Sequence, residues 1–175
     1  ALVIAAHHDN ESGRLTVLDT VNAINFRAET YAQTIIDKFK WWAEKGYYCA
    51  GITDEAEMAG KAGLWAQYLS DRFSDEKLEM PAFYAFQRQV GEKKEIRIAN
   101  AIAFVAAGQV KFHKNAETLD ELRKQLCNHP NAFPNDLADA FADTFNPEFF
   151  QGFLPKVRAD KELRPFGAYE QRLKP

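Results

Sequence analysis

The sequence has few of the residues that build zinc sites or disulfide frameworks. Among 175 residues there are two cysteines, Cys49 and Cys127, which lie far apart and outside any CxxC spacing. The four histidines also lack the spacing of a zinc site. The sequence therefore gives no support for a zinc or thiol redox centre, and we expect both cysteines to be buried thiols in a reducing cytoplasm.

Long apolar runs and an excess of basic charge are missing as well. No apolar stretch approaches the roughly 20 residues that span a membrane, and the features of a signal peptide are not visible. The formal net charge is −3, so any contact with nucleic acid has to be local. An acidic balance is compatible with a metal-dependent nuclease, because bound cations neutralise its carboxylates.

Apolar and aromatic residues are plentiful. Hydrophobic residues make up 46% of the chain, with 14 Phe and three Trp, which suffices for one sizeable core in a single domain. The chain starts without Met inside an apolar stretch at 1–6 (ALVIAA). Since native proteins seldom start in the middle of a strand, we expect a fragment with further residues before it.

The spacing of apolar residues predicts alternating strands and helices. A hairpin at 1–6 and 14–21 comes first, followed by helices that end at Gly46 and Gly108. The other predicted strands are 47–52, 81–86 and 109–113, and Cys49 lies inside the first of them. The predicted helices are 28–45, 61–73, 95–107, 116–128 and 135–145. In the helix 61–73, the residues expected to be buried are Leu64, Trp65, Tyr68 and Leu69. This order predicts an α/β fold with one mixed sheet and helices on both faces.

Three aspartates share one face of the last predicted helix. Asp136, Asp139 and Asp143 stand at i, i+3 and i+7, whereas Leu137 and Phe141 mark the buried stripe. One interpretation is that Asn135 caps the helix and that Asp136 favours the helix dipole, which leaves Asp143 unexplained. The other is that the first two carboxylates hold divalent cations.

A second acidic group, Asp54, Glu55 and Glu57, follows the predicted strand 47–52. Carboxylates at the C-terminal end of a strand lie where open α/β sheets bind ligands, although a solvated acidic turn has the same pattern. Together, the two groups match the needs of two-metal phosphodiester hydrolysis, in which cations roughly 4 Å apart are held by carboxylates.

Several segments, in order, resemble the nuclease domain of the terminase large subunit of phages and prophages. They are the hairpin ALVIAAHHDNESGRLTVLDTV, the strand and helix start YYCAGITDEAEMAGKAGLWAQYL, the segment GEKKEIRIANAIAFVAAGQVKFHKN and the motif NAFPNDLADAFADTF. The matches cover most of residues 1–145. The resemblance implies a ribonuclease H-like fold, with a mixed β-sheet flanked by helices, and cleavage of concatemeric double-stranded DNA with two Mg²⁺ or Mn²⁺ ions.

The resemblance also implies which carboxylates are functional. Asp54 takes the place of the acid at the strand end, with Glu55 as the near alternative, and Asp136, supported by Asp139, takes the place of the helical acid. These residues are the predicted metal ligands, and Asp54, Asp136 and Asp139 the predicted catalytic residues. An amide, Asn135, stands where the family has the first Asp of a pair.

The family's first catalytic aspartate lies on a strand before the hairpin, so this sequence begins after it. Asp19, at the end of the second hairpin strand, is expected to be structural. If residue 1 is the true start, one metal ligand is missing and the isolated fragment is expected to be inactive.

Two basic groups are candidates for phosphate contacts. The first is Lys93, Lys94 and Arg97 near a helix start, and the second is Lys111 and Lys114, on either side of His113. A solvated helix start explains the first group equally well. The resemblance further implies the terminase ATPase domain, the small terminase and the portal as partners, and the cytoplasm of the bacterial host as the location.

Two alternative functions stay open. One is a ribonuclease H-like docking module with an incomplete metal site; the other is a different nuclease of the superfamily, of the resolvase or transposase type. Residues 1–146 are predicted to form the domain, and 147–175 a tail that wraps it or links it to partners.

Overall fold

The fold is known from a computed structural model that describes residues 1–7, 15–22, 27–55, 59–86 and 93–145. The predicted turn at 8–13, Glu57 and the predicted tail at 147–175 lie outside these residues. The strands are β1 Leu2–His7, β2 Leu15–Val21, β3 Ile52–Glu55, β4 Phe83–Phe86 and β5 Val110–Phe112. The helices are α1 Ala28–Glu44, α2 Ala59–Asp75, α3 Lys94–Ala106, α4 Leu119–Cys127 and α5 Asp136–Asp143.

The described strands form two sheets where the sequence predicts one. The first has the order β1-β2-β5, with β1 antiparallel and β5 parallel to β2. The second is the parallel pair of β3 and β4. The α/β class and the predicted hairpin pairing are therefore confirmed, whereas the single mixed sheet is not seen among the described residues.

Helices cover both faces of β1. Val3 and Ala5 pack on one core, which contains residues of β2, α3, α4 and α5, among them Phe141. Leu2 packs on the other core, formed by α1 and α2. Ile52 of β3 packs on that second core too, so both sheets attach to the core of α1 and α2.

Glycine ends α1 and α3 as predicted. Gly46 has φ +84° and Gly108 φ +71°, conformations that residues with a side chain rarely adopt. The N–H of Tyr47 then donates to the carbonyl of Trp42 at 3.0 Å, which closes the last turn of α1 in a Schellman motif.

The predicted strand at 47–52 is wrong, because its first residues belong to the end of α1. Tyr48 is 91% exposed, and β3 begins only at Ile52. Asp54 and Glu55 consequently lie within β3 instead of behind a strand.

Two predictions of burial are also wrong. Leu64 is 75% exposed, since α2 packs through the face that carries Trp65, Leu69 and Phe73. Cys127 is exposed at the end of α4, and Cys49 is only partly buried.

A β-bulge in β2 directs Asp19 toward α1. Ile4 pairs with Asp19 but Ala5 pairs with Val17, so Leu18 is the extra residue and the alternation of faces shifts by one. Asp19 is buried, and its carboxylate accepts hydrogen bonds from Lys38 Nζ at 2.8 Å and from the Glu117 N–H at 3.0 Å. The structural role expected for Asp19 is thereby confirmed.

We expect Asp19→Asn to lower the free energy of unfolding by about 2 kcal/mol, the usual loss for a hydrogen bond to a charged group. Burial opposes the charge on Lys38, but the hydrogen bonds with Asp19 and Glu117 outweigh it and raise the pKa of the ammonium, so Lys38 stays charged at neutral pH. Urea denaturation measures the effect. Glu117→Gln is the control, because Glu117 is 59% exposed in its contact with the same lysine and should matter little. Equal losses in the two variants would contradict the prediction.

Candidate functional site

The aspartates of α5 face α3. Asp136 has a side chain that is 68% exposed, whereas those of Asp139 and Asp143 are only 14% and 16% exposed. The neighbouring face of α3 presents Lys94 and Arg97, which are three residues apart and therefore one turn apart. The acidic stripe thus lies against a basic stripe.

Ion pairs join the two stripes. Arg97 Nη2 lies 2.6 Å from Asp139 Oδ1, and Arg97 Nε lies 3.7 Å from Asp143 Oδ1. Lys94 Nζ lies 3.1 Å from Asp136 Oδ1 and 3.5 Å from Asp139 Oδ2. The Arg97 side chain is only 10% exposed, so its pair with Asp139 is largely shielded from water. This packing of α5 on α3 accounts for all three aspartates, including Asp143.

The capping interpretation is wrong in its main point. Asn135 is the N-cap residue of α5, but its side chain makes no cap hydrogen bond. Gln125 of α4 supplies the acceptor instead, since its Oε1 accepts from the N–H of Ala138 at 2.9 Å. The sequence signal for this role was a glutamine beside the apolar stripe of α4, one residue before Leu126.

The predicted phosphate contacts divide into two groups. Lys94 and Arg97 already share their charge with α5, so binding phosphate would compete with those ion pairs. Lys93, at the N-cap of α3, is exposed, as are Lys111 and Lys114 near β5. Contact of these five residues with DNA stays a prediction.

Asp54 lies in β3, in the second sheet. It pairs in register with Ala85 of β4 and lies near Tyr31 of α1. Burial, and secondarily the charge of Asp54, raises the pKa of Tyr31 to about 12. The Tyr31 hydroxyl donates to the carbonyl of Ala1 at 3.2 Å. Tyr31 therefore connects the end of β3 with the start of β1.

The predicted metal ligands do not form one complete site. Within the described part of the chain, no three His, Cys, Asp or Glu side chains are grouped so that they could hold a metal ion. Asp136 and Asp139 converge on the ammonium of Lys94, and Asp54 stands with Tyr31. Glu55 is the last residue of β3.

The strand edges near Asp54 are open. Among the described strands, β1 pairs only with β2, and β3 pairs only with β4. The sequence of β1, LVIAAH, carries no proline and no Asp, Glu, Lys or Arg to protect an edge. Apolar residues on both of its faces are typical of a strand inside a sheet.

Comparisons of the chain with models of protein families, with curated proteins and with solved structures gave no match. In the described residues, no helix has both the length and the apolar character needed to cross a membrane.

Proposed function

We propose that this chain is the nuclease domain of a DNA-packaging terminase, a metal-dependent endonuclease acting on double-stranded DNA. Its sheet would have a ribonuclease H-like arrangement, of which the described strands form two separate parts. The resemblance of the ordered sequence segments supports this function. One observation in the fold supports it further: among the described strands, β1 and β3 each have one edge without a neighbour, and both pack on the core of α1 and α2.

A strand that precedes β1 in the protein would pair with the open edge of β1, because consecutive strands usually lie side by side. The other edge of β1 is occupied by β2. Tyr31 contacts the start of β1 and lies near the end of β3, so the added strand would run close to Asp54. It would also lie near α5, which packs on the same face of β1 as Val3 and Ala5.

The family's first catalytic aspartate belongs to such a strand. An aspartate there would join Asp54 and Asp136 and supply the third carboxylate that the described residues lack. The partners proposed for the complete protein are the terminase ATPase domain, the small terminase and the portal, and the proposed location is the host cytoplasm.

Plasmid nicking in Mn²⁺ by the full-length gene product tests the proposal. We expect nicking, and we expect Asp54→Asn or Asp136→Asn to abolish it. Asp136 is the better helical probe, because its side chain is exposed and its replacement should leave the fold intact. Asp120→Asn, an exposed acid in the first turn of α4, is the matched control.

Two outcomes would contradict the proposal. Undiminished nicking by Asp136→Asn would overturn the site, and an intact plasmid with the full-length product would overturn the function. The second outcome would favour a docking module. The observation in favour of that alternative is that Lys94 and Arg97 neutralise the α5 carboxylates.

A further inference from the structure

Exposed aromatic side chains cluster at the C-terminal end of α1. The exposed fractions are 52% for Trp41, 41% for Tyr47 and 91% for Tyr48, and we call these three residues the aromatic patch. The Schellman motif fixes the backbone of Tyr47, and its ring packs edge-on against the buried Trp42 with 5.1 Å between centroids. The patch therefore stands on an ordered base.

One lysine contacts the aromatic patch, and two more lie at the end of β5. Lys45 Nζ lies 4.2 Å from the centre of the Trp41 ring. The ring of His113, just after β5, packs on Trp42 at 5.6 Å, which brings the end of β5 to the same region. Val110 and Phe112 pack into the core on the far face of the sheet, so strand alternation places Lys111 on the α1 side, together with His113.

This region carries three exposed lysines. Lys45, Lys111 and Lys114 have no ion pair within the described residues, whereas Glu117 is engaged by Lys38. Glu44 is the one acidic residue in the stretch 41–48. Exposed rings among unpaired lysines are the two components of a surface that stacks bases and holds the phosphates between them.

We propose that the aromatic patch, with Lys45, Lys111 and Lys114, binds single-stranded nucleic acid. Unpaired bases stack on Trp41 and Tyr48, and the lysines contact the backbone. Duplex DNA fits less well, since its bases expose no ring faces to a protein surface. The patch lies on the α1 side of the sheet, away from the aspartates of α5, so the inference does not depend on the proposed nuclease.

Fluorescence anisotropy with labelled oligothymidylate, in EDTA and low salt, tests this with the 175-residue protein. We expect saturable binding, with weaker binding of a duplex of equal length. Trp41→Ala and Tyr48→Ala should each weaken binding about 5- to 150-fold, the range for loss of one stacked base. Log affinity falls as log salt rises, and each of Lys45→Gln and Lys114→Gln should make this slope less steep by about 0.7.

Phe133→Ala is the matched control, because Phe133 is an aromatic residue with 95% exposure before α5. It should leave the affinity unchanged. Failure to bind oligothymidylate, or equal affinity of Trp41→Ala and the unaltered protein, would overturn the proposal. Sedimentation tests whether a second copy of the chain occupies the patch instead. Self-association of the protein that is lost in Tyr48→Ala, together with no binding of oligothymidylate, would assign the patch to a second copy.

Discussion

Replacing Arg97 with Met should lower the free energy of unfolding by about 3 kcal/mol, because it leaves buried carboxylates without their cation. Arg97 lies between α3 and α5, and its guanidinium contacts Asp139 and Asp143, whose side chains are largely shielded from water. Met fills most of the volume of the arginine stem, so the loss reports on charge more than on packing. Urea denaturation monitored by circular dichroism gives the value.

Lys94→Met serves as the control for Arg97→Met. Lys94 pairs most closely with Asp136, whose side chain is 68% exposed, so its loss should change the stability by less than about 1 kcal/mol. The double variant Arg97→Met/Asp139→Asn should be more stable than the sum of the single effects predicts, since the two residues interact directly. Similar stabilities of Arg97→Met and the unaltered protein would show that the ion pair does not hold α5 on α3.

The ion pairs between α3 and α5 affect how nuclease assays of the aspartates are interpreted. Asp139→Asn leaves Arg97 with one of its carboxylate partners removed, so a loss of activity would combine unfolding with any loss of metal binding. Asp136→Asn avoids this ambiguity because the Asp136 side chain is exposed. Activity of Asp139 variants should therefore be compared at equal folded fraction.

The predictions that succeeded rest on local signals. A helix such as α3 is specified by its own apolar spacing. Its end is specified by Gly108, because glycine adopts positive φ without strain. The pairing of β1 with β2 also follows from a short connection between two apolar runs.

The predictions that failed depended on packing between distant residues. The stretch Tyr47–Tyr48–Cys49 has strand-like composition, but the backbone of Tyr47 completes α1, and the nearest strand starts later. Likewise, the spacing of aspartates on α5 is the same whether they face metal ions or a basic helix. Only the position of α3, some 40 residues earlier in the chain, decides between the two.

The candidate site was only partly predictable, because it also depends on packing between distant residues. The sequence identifies Asp54 and Asp136 as acids on a strand and a helix, but strand order determines whether they meet. Within the described residues, the unpaired edges of β1 and β3 belong to two sheets that pack on one core of α1 and α2, and no local pattern encodes that arrangement.

The largest loss of stability is expected from Phe141→Ala, about 4 kcal/mol, within the range for a fully buried phenylalanine. Phe141 is 0% exposed and packs on Phe145 at 5.2 Å and on Phe112 at 5.9 Å. Its ring therefore joins α5 to β5, in the core that also receives Val3 and Ala5 of β1. Chemical denaturation measures the loss, and hydrogen exchange should show α5 losing protection first.

Phe133→Ala provides the comparison, since the same side chain is removed from a position that is 95% exposed and the stability should change by less than about 0.5 kcal/mol. Phe141→Leu should fall between the two, because Leu refills part of the cavity. A loss below about 1 kcal/mol for Phe141→Ala would mean that the core closes around the missing ring. In that case Phe141 would not be what fixes α5, and the Arg97 ion pairs and the hydrogen bond from Ala138 to Gln125 would set the position of Asp136 relative to β1.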